Sequence, residues 1–245
     1  MAAAGVAIDS YAQPGAQVRS GLSASTGRAA SGPPLSFSLD VTSHMNADRQ
    51  ANIETMAGAI SETLFSAWSY FHLLEGFHNG SKSHPVVVQK FDRLFDQLWR
   101  AVFDGLFSKA GTLIDRTKNT YSIPHLVTMV IRYGESDAKS VARSVQARLN
   151  ADDGPLKKIE SWRHEVVAHR TPNGRADIFY KDNKMNLPEI ADGLRKLEQL
   201  LNELSLCAMR VVHDTETGSL DLVKQGTDLF GCVANHAVQP SANTQ

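Results

Sequence analysis

Apolar side chains recur at three- and four-residue steps along most of the chain, from about Asp48 to His213. This spacing puts them on one face of an α-helix and predicts a series of amphipathic helices. The first helix is predicted to end at Asn79-Gly80, a pair typical of helix termini. Its apolar stripe comprises Ile53, Met56, Ile60, Leu64, Ala67, Trp68, Phe71 and Leu74.

A second apolar stripe, from Val88 to Leu113, is widened by aromatic residues and predicts a long helix at the centre of a bundle. Ser83 is a candidate N-cap for it, with Pro85 near the first turn. The other predicted helices follow turn or cap residues and span about 122–132, 136–149, 155–169 and 187–211.

These patterns predict an all-α fold, a helical bundle of four long helices plus shorter ones, over residues 45–215. Residues 1–44 are expected to be a disordered, low-complexity segment, because Ala, Gly, Ser and Pro fill 23 of the first 36 positions. Residues 216–245 are expected to form a loosely structured tail. No tract of 18 apolar residues occurs, so the sequence predicts no membrane-spanning helix.

Composition narrows the functional classes without naming one. The formal net charge is −1, so any binding of nucleic acid must come from a local basic surface. Residues 139–175 supply such a surface, with eight Lys and Arg against four Asp and Glu. Two cysteines indicate reduced thiols in a cytoplasmic protein, and the absence of a phosphate-binding glycine loop argues against ATP. We therefore expect no cofactor and no metal.

Five ionisable groups fall within residues 162–170, near the predicted end of a helix. His164-Glu165 followed by His169 is similar to a zinc-peptidase motif, but that motif needs two histidines at positions i and i+4. The spacing here is i and i+5, which turns the two imidazoles roughly 140° apart on a helix. A shared zinc ion is therefore disfavoured.

Two other interpretations of this segment remain open on spacing alone. Arg163 can bind a phosphate while His169 moves protons, which is what metal-free cleavage of RNA requires. The two residues lie roughly 9 Å apart along an ideal helix, so they converge only if the helix frays or a second subunit contributes its own pair. Alternatively, Arg163 forms an ion pair with Glu160 or Glu165, and His169 caps a carbonyl.

The segment Arg163–His169 resembles the R-x(4–6)-H signature of HEPN domains, with the polar His164 directly after the arginine. Lys157–Arg170 as a whole (K-K-I-E-S-W-R-H-E-V-V-A-H-R) is similar to the third-helix segment of the AbiU-like HEPN branch. Leu98–Pro124 and the turn at 171–187 before a last Leu-rich helix resemble the same branch. The resemblance covers roughly residues 45–215.

The resemblance implies a homodimeric, metal-independent endoribonuclease, of the kind found in abortive infection against phage and in toxin–antitoxin systems. Arg163 would bind the phosphate, His169 would transfer protons and His164 would orient the site, leaving a 2′,3′-cyclic phosphate on the RNA. Lys158 and Arg170 are the expected additional substrate-binding cations, and an antitoxin protein is an expected partner. His164 stands where Asn is more usual, and many family members are inactive, so a helical binding or dimerisation module is the alternative.

Overall fold

The computed structural model describes residues 41–117, 120–151, 154–164 and 185–237. Within these ranges the chain is all-α and contains no strand, which confirms the predicted fold class. The expected disorder of residues 1–44 stays a prediction for residues 1–40, which lie outside the described residues, whereas residues 41–44 belong to the first helix and correct the prediction there. The helices are α1 (Val41–Ser83), α2 (Pro85–Lys90), α3 (Asp92–Leu113), α4 (Ile123–Tyr133), α5 (Ser136–Ala151), α6 (Pro155–Trp162), α7 (Leu187–Met209) and α8 (Asp221–Ala237), with a 3-10 turn at Thr217–Ser219.

Helix α1 is the centre of the bundle. It packs against α3, α4, α7 and α8, and its apolar side chains are buried from Ile53 to Phe77. The expectation that the second long helix would be central is wrong, because α3 covers one side of α1 and otherwise contacts α2 and α6. None of the helices in the described part of the chain is long and apolar enough to cross a membrane.

Helix α1 continues through Asn79-Gly80, where the sequence predicted its end, and stops at Ser83. Gly80 has a packing role here, since a Cβ atom at this position would lie 2.3 Å from the ring of Phe230 in α8. The next helix is capped by His84, without a side-chain hydrogen bond, rather than by the predicted Ser83. Phe91 then interrupts the single predicted helix with φ −120° and ψ 35°, which separates α2 from α3.

Residues 216–237 form the 3-10 turn and helix α8, so the predicted loose tail is corrected over this range. The tail prediction failed because α8 is fixed by contacts distant in sequence. Its Gly226 lies against Gly76 of α1, with a Cβ at Gly226 only 3.1 Å from the Gly76 Cα. Two facing glycines allow the backbones to approach closely, and the ring of Phe230 stacks on Phe95 with centroids 4.3 Å apart.

Polar contacts stabilise the segment that connects α7 to α8. Helix α7 ends at Met209, and its C-cap residue Arg210 adopts the left-handed conformation at φ 57°. Buried His72 of α1 lies 2.9 Å from Ser219 Oγ, and burial lowers the pKa of this imidazole. Arg195 of α7 donates to Glu216 at 3.0 Å. These contacts hold the start of α8 against both long helices.

The close approach of α1 and α8 generates a prediction about two glycines of the same helix. A Cβ at Gly76 would lie 2.4 Å from the backbone oxygen of Val223, whereas a Cβ at Gly58 would meet nothing within 4 Å. We expect Gly76→Ala to lower the free energy of unfolding by about 1–3 kcal/mol through overpacking. Gly58→Ala should raise it by about 0.5–1 kcal/mol through helix propensity. Urea unfolding measures both, and a shift of the same sign in the two variants would contradict this packing.

Candidate functional site

Helix α6 is a short helix held on two sides by buried residues. Leu156, Ile159 and Trp162 are buried along one of its faces. The Trp162 ring packs edge-on against Phe103 at 5.0 Å and stacks on Phe107 at 5.3 Å, both from α3. Since aromatic pairs have preferred geometries, this cluster fixes the end of α6 against α3.

The opposite contact of α6 is with α7. A Cβ at Gly193 of α7 would lie 2.6 Å from Ile159 Cδ1, so the glycine makes room for the isoleucine. Lys158 also reaches α7, where its Nζ donates to Glu189 Oε1 at 2.8 Å. Glu189 is the third helical residue of α7, and it completes a capping box with Asn186. Helix α6 is therefore packed between α3 and the start of α7.

The regular helix ends at Trp162, and Arg163 and His164 continue as a π-helical turn. Such local widening of a helix is frequent at functional sites because it redirects the side chains that follow. Arg163 keeps helical angles, with φ −58° and ψ −46°. The change at Arg163 and His164 therefore lies in the hydrogen-bond pattern of the helix and not in the backbone angles of Arg163.

The guanidinium of Arg163 is fixed by two contacts at the end of α3. It donates to the Gly111 carbonyl oxygen at 3.1 Å and to Asp115 Oδ2 at 2.8 Å. The arginine side chain lies directly over Gly111, where an added Cβ would stand 2.1 Å from Arg163 Cδ. The side chain of Arg163 is 32% exposed and that of Asp115 is 13% exposed. The ion pair is therefore partly shielded while the guanidinium still reaches the surface.

The surroundings of Asp115 keep its carboxyl group ionised. Burial alone would raise the pKa of this carboxyl. The carboxylate accepts hydrogen bonds from the Thr117 hydroxyl at 2.6 Å and from the Thr117 backbone N–H at 2.9 Å. These bonds, together with Arg163, lower the pKa of Asp115 to about 2. A carboxylate that accepts several charge-stabilising bonds titrates well below its usual range. The Asp115 carboxylate therefore stays ionised at any pH near neutrality.

The structure describes three of the five predicted site residues. Arg163 is positioned as above, and its partner is Asp115 rather than Glu160, which pairs with Lys157 at 2.9 Å; the predicted alternative Glu165 lies outside the described residues. His164 is exposed at the π-helical turn. Lys158 forms an ion pair with Glu189. His169 and Arg170 lie outside the described residues, so their convergence with Arg163 stays a prediction.

Gly111 and Asp115 are the site residues that the sequence pattern missed. They lie 52 and 48 positions before Arg163 along the chain, so no local spacing connects them to it. The signal that was available is the sequence Gly111-x-x-x-Asp115, which puts a residue without a side chain one helical turn before a carboxylate. This arrangement forms a slot for a long cation only once α6 is packed against α3.

The fold and the positioned arginine define an all-α domain with a partly exposed arginine side chain fixed at the end of a short helix. The family model HEPN_AbiU2, described as AbiU2, matches residues 51–224. The chain therefore belongs to this family, a group of HEPN domains related to abortive infection. The match includes Arg163, Asp115 and the first turn of α8. No curated protein and no solved structure matched the chain.

The lowered pKa of Asp115 predicts an acid-sensitive contribution to stability. The pKa of the carboxyl is about 2 in the fold against 3.8 for the ordinary group, so the unfolded chain binds more protons between these values. The stabilisation is complete above about pH 5 and is lost as the pH falls toward about 2. Wild-type protein should lose about 1–2 kcal/mol more of its unfolding free energy than Asp115→Asn over this range.

Urea unfolding at several pH values measures this difference. Asp48→Asn, which alters an exposed aspartate of α1, is the matched control and should follow the wild-type pH dependence. If Asp115→Asn and the wild type lose stability in parallel on acidification, the ionised Asp115 does not stabilise the fold.

Proposed function

We propose that this protein is a metal-independent endoribonuclease whose phosphate-binding group is Arg163. The observation that carries the proposal is the fixed guanidinium, oriented by Asp115 and the Gly111 carbonyl at the first position of the R-x5-H motif. Membership of the AbiU2 family of HEPN domains supports it. Preorganised cations of this kind stabilise charge that develops on a phosphate during cleavage.

The proposed reaction is an internal transfer within the RNA. The ribose 2′-oxygen attacks the adjacent phosphorus, the bond from phosphorus to the 5′-oxygen breaks, and a 2′,3′-cyclic phosphate and a 5′-hydroxyl are formed. One proton leaves the 2′-hydroxyl and one reaches the departing oxygen. His169 is the proposed proton-transfer group, since imidazole titrates near neutrality. His164, exposed beside Arg163, is the proposed orienting group.

Asp115 supports this role of Arg163 in two ways. Its carboxylate holds the guanidinium in one orientation, which lowers the entropy lost when a phosphate binds. It also leaves other N–H donors of the guanidinium to bind a phosphate. A guanidinium carries five N–H donors, and its contact with Asp115 uses one nitrogen. A lysine at position 163 has neither the planar fork nor this geometry.

A homodimer that brings two Arg163/His169 sets into one basic cleft is part of the proposal. The dimer would bring Arg163 and His169 together, which their six-residue separation on one helix does not do by itself. Lys158 and Arg170 would add positive charge near the phosphates, with Lys158 exchanging its contact with Glu189 for one with RNA. Defence by abortive infection, as a toxin restrained by an antitoxin protein, is the proposed context.

A catalytically inactive helical binding or dimerisation module is the second candidate. The observation that favours it is the same ion pair, since Arg163 bound to Asp115 and Gly111 also joins α6 to α3. In that case Arg163 would stabilise the fold, and no RNA would be cleaved. Activity and stability measured on the same variants separate the two functions.

Cleavage of a labelled single-stranded RNA by the full chain tests the proposal. We expect His169→Ala to lower the rate by about 10²–10⁴-fold and Arg163→Lys by at least about 10²-fold. The products of the wild type should carry 2′,3′-cyclic phosphates, and a metal chelator should leave the rate unchanged.

Arg93→Ala is the matched control, because Arg93 is an exposed arginine of α3 outside the basic stretch of residues 139–175. It should cleave at the wild-type rate. Intact RNA in the presence of folded wild-type protein, together with a loss of stability in Arg163→Lys, would support the inactive module instead.

A further inference from the structure

A cavity of about 370 Å³ opens beside Asp115, where the end of α3, the start of α4 and the last turns of α5 meet. Its floor is apolar and formed by Pro124, Val127 and Leu149, and the exposed side chains of Gln146 and Asn150 form one rim. This volume lies within the range of small-molecule sites in proteins. Neither the R-x5-H motif nor the helical pattern pointed to it.

Ser122 is a buried polar residue in the wall of this cavity. The residue is 0% exposed, and its Oγ makes no hydrogen bond within the part of the chain that the structure describes. Ser122 occupies the N-cap position of α4, yet its side chain does not cap the helix. A buried hydroxyl without a partner is costly, so a polar atom of a ligand at this position would be bound favourably.

Other lining side chains supply hydrogen-bonding groups and a cation, which suit a polar ring with an attached anion. Gln146 and Asn150 lie four residues apart on one face of α5, and each amide offers a donor and an acceptor. The exposed Arg116 lines the cavity and provides a cation for a phosphate. Asp115 is also at the cavity, but its charge is offset by Arg163. A nucleobase and its phosphate match this set.

The cavity is connected to the proposed catalytic segment. A second cavity of about 230 Å³ shares Arg116, Leu149 and Asn150 with the first and extends to Lys157 and Glu160 of α6. Helix α6 carries Arg163 at its end, and Asp115 touches both Arg163 and the first cavity. A single strand bound in the cavity would therefore lead along this groove toward Arg163.

We propose that this cavity binds one nucleobase of a single-stranded RNA, with the neighbouring phosphate on Arg116, and so selects which linkage reaches Arg163. The inference rests on the proposed function, since it names a base-binding subsite of the same enzyme. Single-stranded RNA suits the site because its unstacked bases can enter pockets and expose their hydrogen-bonding edges.

The test uses the full chain and fluorescent 2′-O-methyl RNA octamers, which lack the attacking hydroxyl and cannot be cleaved. Fluorescence anisotropy should show that Ser122→Ala weakens binding roughly threefold to tenfold, the range for loss of one hydrogen bond. Arg116→Ala should weaken it about tenfold and reduce its salt dependence by about one phosphate contact. Because Ser122 Oγ has no hydrogen-bond partner among the described residues, Ser122→Ala should not lower stability in urea.

Two matched controls should bind as the wild type does: Ser69→Ala, at a half-buried serine of α1, and Arg93→Ala, at an exposed arginine of α3. If Ser122→Ala and Arg116→Ala bind the octamers with the same affinity as the wild type, the proposed subsite is overturned. That result would not contradict the proposed nuclease activity. Binding that depends on Arg116 and Ser122, without any cleavage of ordinary RNA, would support the subsite and refute the nuclease. Tight binding of free nucleoside monophosphates with none of the octamers would overturn the proposal in favour of a small-nucleotide site.

Discussion

The ion pair between Arg163 and Asp115 is the contact on which the candidate site depends. It joins the end of α6 to the end of α3 across 48 positions of sequence, with N and O 2.8 Å apart. The pair forms because the Trp162 ring packs against Phe103 and Phe107, which brings the next residue over α3. In addition, Gly111 has no side chain and leaves the space that the aliphatic part of the Arg163 side chain fills. Thr117 then keeps the carboxylate ionised. Each of these parts belongs to the fold, and together they determine where one guanidinium reaches the surface.

The remainder of the bundle acts as a support for this contact. Helix α1 fills the centre, and its glycines allow α8 to approach until backbone atoms are in contact. Helices α4 and α5 pack on each other and on α7, which leaves the cavity beside Asp115 between their ends and α3. The large apolar contacts thus lie on α1, and the polar groups of the candidate site lie at the end of α3.

The sequence pattern predicted most of the helices and selected Arg163, because helix periodicity and short motifs are local properties. It missed α8, since that helix is defined by Gly76 and Phe95, which are far from it in sequence. It ended α1 too early at Gly80, because a glycine that serves packing and a glycine that ends a helix look identical in one sequence. Asp115, Gly111 and Ser122 could not be assigned to a site before the helices were packed, because their significance comes from neighbours on other elements.

The most direct measurement is a double-mutant cycle on the ion pair. Asp115→Asn, Arg163→Gln and the double variant would be compared with the wild type by urea unfolding near neutral pH. The account predicts a coupling free energy of about 1 kcal/mol, reduced from that of a fully buried pair because Arg163 is 32% exposed. Additive effects of the two substitutions, within about 0.3 kcal/mol, would show that Asp115 does not hold Arg163 and would contradict the account of the site.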